Sequence, residues 1–367
     1  CFNLRVLQTP NYVLFLIVGD EVFWPQTEEL PDVKILQLKT LVRDPNPVKD
    51  IKTLIYLIKI IKKHRFDIVH THLAKAGFLG RFSAFLTGVP VVIHSLHGIT
   101  FAETLNPFVR YMYKLAEKVA DYFTDHFIPV GEDLMSSYLK ESIGIKSKYS
   151  VIRSGMDLNS FLHVKNDSFA SRKVRSEFNI DLNDTVIGYV ASLEPRKGHR
   201  YAIFAAEKII KNNSNVKFMF VGEGYLMFDL DKQIKELGLA DNIILTGYRT
   251  DIAEVMSAFD IKIFTSLWEG LPQVLVQASA VGLPIVSFET DGVYEIVKNG
   301  YNGFIVKRKD VQALVEKIQF LVSNPSKCLK MGRNGRNNVN SEWEISTMVN
   351  KTSQLYKRIY YEEKLNL

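Results

Sequence analysis

Short apolar runs recur along almost the whole chain, and helix-length amphipathic stretches separate them. The first set comprises YVLFLIV (12–18), KILQL (34–38), DIVHT (67–71), VPVVIHS (89–95), HFIPV (126–130) and YSVIR (149–153). The second comprises TVIGYV (185–190), VKFMFV (216–221), NIILT (242–246), DIKIFT (260–265), PIVSF (284–288) and GFIV (303–306). Several are apolar throughout rather than alternating, as in parallel strands covered on both faces. Helical periodicity falls between them, at 198–212, 225–238 and 310–323 among others. Strand–helix–strand units repeated through two halves restrict the fold to α/β, with two Rossmann-like domains. The Asp-, Asn- and Ser-rich stretch 155–183 is where the junction is expected. The expected domains are 1–155 and 156–341, with a long helix over 342–367 packing back on the first.

A length of 367 residues suits two such domains. The balance of 46 Lys and Arg against 40 Asp and Glu leaves a net charge of +6. That suits an anionic ligand or membrane surface and equally a solvated basic face. Nucleic-acid binding would rest on the charge alone and is set aside. Cys1 and Cys328 stand at opposite ends without metal-type spacing, which fits a reducing compartment and no disulfide framework. No apolar run reaches the ~20 residues of a membrane-spanning helix. Without a signal-peptide pattern, the expected location is cytoplasmic.

In open α/β folds ligands gather outside the carboxyl ends of the strands, so strand-to-helix turns matter most. SLWEGLPQVLVQASAVG (266–282) is such a turn, with Glu269 ahead of a helix expected to begin at Pro272 and stop at Gly282. The first amides of that helix form an anion site, and a carboxylate there would compete with a phosphate.

Further turns complete a pattern: DIVHTHLAKAG, IHSLHGITF, ASLEPRKG, FVGEGYLM, GYRTDI and NGYNGFIV. Together they resemble the retaining glycosyltransferases of family four, with the GT-B fold, from about residue 50 onward. The resemblance implies two Rossmann-like domains across a cleft. It also implies a nucleotide-sugar donor, a UDP-sugar above all, and a glycan or polyprenyl-linked acceptor in cell-surface polysaccharide synthesis. It implies no metal cofactor, and the leaving phosphate itself takes the acceptor proton. The Asp-x-Asp spelling at Asp229 and Asp231 lies in a helical stretch and is read as coincidence.

Residue by residue, the resemblance gives the amides of Gly270 and Leu271 donor contacts and gives Glu269 the sugar hydroxyls. Gln277 stands where the family has a ribose-binding glutamate, and an uncharged acceptor contributes less. Lys197 matches the family's diphosphate lysine, while Ser192 stands where a second cation would be and Arg196 is the neighbour able to replace it. Gly222 and Gly224 form a turn beside the nucleotide, and Arg249 lies in the turn near the base. Asp251 reads as a helix N-cap, and Glu295 as either near the cleft or structural. On the N-terminal side His97 would contact the donor sugar, His72 and Lys75 the acceptor, and His94 would be a core residue.

IKTLIYLIKIIKKHR (51–65) either rests on an anionic bilayer or packs on the sheet with a basic outer face. The glycine-rich turn and first strand of the family have no counterpart before CFNLRVLQTP, so one βα unit is expected to be missing. With Ser192 and Gln277, this keeps open a second reading, a weakly catalytic subunit that binds nucleotide-sugar. A nicotinamide-dependent dehydrogenase is disfavoured by the lack of G-x-G-x-x-G after an early strand.

Overall fold

The computed structural model describes residues 12–19, 33–103, 105–164 and 168–365. The expected loss of a first βα unit concerns the chain ahead of residue 12 and lies outside them. The chain divides into two compact units, Cys1–Gly155 with Ile345–Leu367, and Met156–Glu344.

In the first unit, β1 (Leu14–Gly19) and β2 (Val33–Leu38) pair in parallel. A separate parallel sheet has the order β3 (Ile68–His72), β4 (Val91–Leu96), β5 (His126–Pro129). The helices that follow β2, β3, β4 and β5 are α1 (Pro47–His64), α2 (Ala74–Thr87), α3 (Pro107–Asp121) and α4 (Glu132–Lys140). Two of these helices start on an Asn-Pro pair: the Asn46 side chain accepts from Lys49 N at 3.0 Å, and that of Asn106 from Phe108 N at 3.0 Å.

The run YSVIR does not become a strand. Ser150 and Ile152 donate to the carbonyls of Phe127 and Pro129, both at 3.1 Å. The next bond of a parallel ladder would come from Pro129, which has no N–H.

The second unit is one six-stranded parallel sheet. In chain order its elements are α5 (Asn159–His163), α6 (Phe169–Glu177), β6 (Thr185–Val190), α7 (His199–Ile210), β7 (Val216–Val221), α8 (Met227–Glu236), β8 (Ile243–Leu245), α9 (Ile252–Ser257), β9 (Ile261–Phe264), α10 (Gln273–Val281), β10 (Ile285–Phe288), α11 (Val293–Ile296), β11 (Gly303–Val306), α12 (Val311–Val322) and α13 (Pro325–Asn338). The spatial order β8-β7-β6-β9-β10-β11 reverses direction between β6 and β9. That reversal is a topological switch point, where a doubly wound sheet opens its ligand crevice. Met156 N donates to Trp343 O at 2.9 Å and closes the unit's two ends together.

The last helix, α14 (Ile345–Leu365), belongs to the first unit. Its Met348, Val349, Leu355, Tyr356 and Ile359 pack with Val91, Ile93, Ile128 and Ile152 in one buried cluster.

Candidate functional site

The loops leaving β6 and β9 flank the switch point, and they bring together side chains 72 residues apart. Lys197 Nζ lies 2.5 Å from Glu269 Oε1, and both side chains are nearly buried, at 14% and 12% exposure. Arg196 reaches the other carboxylate oxygen at 3.5 Å and Glu194 at 3.0 Å. Burial pushes the Glu194 carboxyl up, and Arg196 more than offsets it, so it sits below the usual range. Two cations and two carboxylates thus converge on one turn.

Backbone contacts hold that turn from below. Gly198 adopts φ +69°, and a Cβ there would stand 2.3 Å from Thr265 O. Only glycine lets the turn press so closely on β9. Thr265 Oγ1 donates to the carbonyls of Lys197 (3.2 Å) and Gly198 (3.1 Å), and the Tyr189 hydroxyl donates to Lys197 O as well. Leu267 N bonds Arg196 O at 2.8 Å. Neither Tyr189 nor Thr265 was singled out in the sequence, because each reads as an ordinary strand residue by propensity.

The loop after β7 packs against the same turn. A Cβ on Gly222, whose φ is +145°, would meet Ala191 O at 2.0 Å, and one on Gly224 would meet Leu193 O at 2.5 Å. Leu193 N bonds Glu223 O at 2.9 Å, so Ser192 is held between two backbone clasps. Gly270 and Leu271 lead into α10, whose N-cap position is Pro272, one residue later in the helix frame than expected, and whose C-cap is Gly282. Gln277 lies half-buried on α10.

Arg249 is held elsewhere. It forms paired contacts with Asp251 (2.8 and 2.6 Å) and with Glu177, which raise its pKa further. Asp251 occupies the N-cap position of α9, yet its side chain makes no cap hydrogen bond; the guanidinium outcompetes the backbone for it. Asp231, of the Asp-x-Asp spelling, pairs with Lys235 along α8 at 2.7 Å. Among the described residues no group of three or more His, Cys, Asp or Glu is placed to hold a metal ion. A cavity of about 230 Å³ bordered by Thr185, Ile261 and Pro284 opens at the amino ends of the strands, the wrong end for this fold's ligands.

In the first unit the carboxyl ends of β3 and β4 gather histidines. His72 Nδ1 lies 2.9 Å from His97 Nε2, and His70 contacts both Ser95 Oγ, at 2.7 Å, and the Tyr356 hydroxyl of α14. His94 is buried and bonded to Thr71 at 2.8 Å. Burial lowers all four: His70 to about 3, His72 and His94 well below 6.5, and His97 less far. Lys75 is committed to Asp50 at 2.5 Å and to Asp44 O at 2.6 Å, tying α2 to the start of α1. Leu73, directly after His72, holds φ +65°, an unusual conformation for a non-glycine residue that nothing in the sequence announces.

This geometry meets its relatives in sequence. Residues 16–160 match the family described as Glycosyltransferase Family 4, and residues 170–338 match Glycosyl transferases group 1. An Escherichia coli UDP-Gal:alpha-D-GlcNAc-diphosphoundecaprenol alpha-1,3-galactosyltransferase is 34% identical over 336 residues, covering 90% of this chain and 86% of that enzyme. The chain is a family four glycosyltransferase with the GT-B fold. A Staphylococcus aureus capsular polysaccharide biosynthesis glycosyltransferase, CapM, is 25% identical, covering 91% of this chain and 87% of that one. The fold matches Anabaena HepE, solved with UDP and glucose, at a TM-score of 0.78 and 20% identity, covering 93% and 91% of the two chains. In this glycosyltransferase, then, the switch-point turn brings Lys197, Arg196 and Glu269 together on the second unit. His72 and His97 meet on the first, and Arg249 and Lys75 are bound into ion pairs of their own.

Proposed function

We propose that this glycosyltransferase moves a sugar from a UDP-sugar, with retention of anomeric configuration, onto a polyprenyl-diphosphate-linked glycan in cell-surface polysaccharide synthesis. The observation that carries the reading is the Lys197–Glu269 pair at the switch point. A diphosphate arriving there draws Lys197 and Arg196 to its oxygens and releases Glu269 to accept hydrogen bonds from sugar hydroxyls. Arg196 supplies the second cation that Ser192 cannot. The amides of Gly270 and Leu271 add donors at the start of α10, and Gln277 accepts from the ribose. Gly222 and Gly224 let backbone approach the nucleotide. On the first unit we assign His97 a hydrogen bond to the transferred sugar, and His72 and Lys75 the acceptor side.

The leaving phosphate takes the acceptor proton, so no separate general base is required. Preorganised cations and amides at the departing diphosphate supply the electrostatic stabilisation, without a divalent metal. The donor and acceptor are supported by the name of the E. coli relative, which specifies UDP-Gal and a diphosphoundecaprenol acceptor. Among the described residues no helix is long and apolar enough to cross a membrane. We place the enzyme at the cytoplasmic membrane surface, with exposed Lys52, Lys59, Lys62 and Lys63 of α1 able to face anionic lipid.

The test is a panel of nucleotide-sugars offered with a synthetic sugar diphosphate bearing a lipid chain. Turnover with a UDP-sugar, an α-linked product from an α-linked donor, and indifference to a metal chelator support the reading. Turnover confined to another nucleotide, an inverted linkage or loss of activity in chelator overturns the corresponding part.

A further inference from the structure

The turn after β6 carries an acid that donor binding alone disfavours. A carboxylate near a diphosphate repels it, and Glu269 already brings one to this turn. Glu194 brings a second, and its side chain and that of Arg196 are each 36% exposed. An ion pair that open to solvent adds little to stability, so stability does not account for Glu194.

Its surroundings do. Glu194 is extended, at φ −125° and ψ 153°, and Pro195 follows as the first residue of a single 3-10 turn (Pro195–Lys197). Lys197 N closes that turn on Glu194 O at 3.0 Å, and Leu267 N fixes Arg196 O at 2.8 Å. The guanidinium therefore swings on a fixed stem. Burial raises the Glu194 carboxyl, but hydrogen bonds from Arg196 and the Ser192 side chain, with Lys197 nearby, bring it below the usual range.

The two ends of the guanidinium meet different acids. Nε donates to Glu194 Oε2 at 3.0 Å, while Nη1 stands 3.5 Å from Glu269 Oε2, at the outer limit of a hydrogen bond. Lys197 holds the other Glu269 oxygen at 2.5 Å. Charge-assisted bonds are about twice as strong as neutral ones, so an uncharged group at position 194 would lose Arg196 to Glu269. Both oxygens of Glu269 would then be held by cations. With Glu194 charged, the Nε edge stays anchored and the Nη edge can exchange Glu269 for a phosphate.

We infer that Glu194 is a positioning residue: it anchors Arg196 through Nε, keeps it from locking Glu269, and turns its Nη edge to the donor diphosphate. The inference deepens the proposed function and rests on it for the diphosphate, but the experiment separates the two. Wild type, Glu194→Gln, Arg196→Gln and the double variant are compared in steady-state transfer and in calorimetric titration with UDP. Expected for Glu194→Gln is a fall in kcat of at least about fivefold with UDP affinity within about twofold of wild type, because relief of repulsion offsets the lost orientation. Arg196→Gln should weaken UDP at least about fivefold when Glu194 is present, and less than about twofold in the Glu194→Gln background. The double variant should keep the kcat of Arg196→Gln. All variants should melt with wild type, whereas a purely structural role would lower the melting temperature and leave the kcat and affinity effects additive. Wild-type kcat in Glu194→Gln, or equal effects of Arg196→Gln in both backgrounds, overturns the inference and leaves the transferase reading intact. If wild type transfers from no nucleotide-sugar, the transferase reading falls and the UDP titrations decide alone: unequal effects of Arg196→Gln sustain the inference, and equal effects overturn it.

Discussion

Lys197 and Glu269 neutralise each other at 2.5 Å in a nearly buried turn, so removing either strands a charge as well as a contact. Lys197→Ala and Glu269→Ala should each lower turnover at least about a hundredfold, about 2.7 kcal/mol of transition-state stabilisation. Steady-state rates with saturating donor check this, and near-normal turnover in both would remove the pair from the site. Thr265→Val is a finer probe: it keeps the shape and deletes the hydroxyl that holds the carbonyls of Lys197 and Gly198. We expect a stability loss of about 1–2 kcal/mol by denaturant titration, with a fall in kcat larger than any change in the wild-type donor KM. The motif around Lys197 and Glu269 was legible because glycine, proline and charge cluster at strand ends. Their support was not, because Thr265 and Tyr189 act through side-chain bonds to backbone that no local pattern encodes. Likewise the contact of His70 with Tyr356 spans 286 residues and has no local signature.

Among elements, most strands stand where uniformly apolar runs placed them, β6, β7 and β11 to the residue. The exception, YSVIR, failed on one missing N–H in its neighbour, a fact about pairing rather than about the run itself. The joint between α2 and α3 was likewise hidden, since Arg81 and Glu117 look like surface residues until the fold buries both. Breaking one partner there leaves a buried charge: Arg81→Met should cost the first unit about 3–5 kcal/mol. Combining it with Glu117→Met should recover most of that, as read by thermal melting of the single and double variants.

For the whole molecule, neutral histidines set the response to acid. Five are lowered by burial in the first unit, with His126 at about 4 and His70 at about 3, against His199 in the second, also at about 3. Each folded value lies below the ordinary histidine value of 6.5, so the unfolded chain takes up more protons between the two. The stability these histidines contribute is therefore full above pH ~6.5 and is lost as pH falls toward the folded values, at up to about 1.4 kcal/mol per pH unit for each histidine. Hydrogen exchange between pH 7 and pH 5, corrected for intrinsic rates, should show β3 to β5 losing protection faster than β6 to β11. Equal losses in both units would contradict this assignment.

Because α14 is synthesised after the whole of the second unit, the polypeptide emerging from a ribosome has Val91, Ile93, Ile128 and Ile152 in place long before their cover exists. The contiguous unit can reach its native state during translation before α14 is made, whereas the interrupted one waits for the 21 residues of that helix. A stop codon near Ile345 would thus yield a product whose later-made half is sound and whose earlier-made half is sticky, a natural substrate for chaperones and proteases.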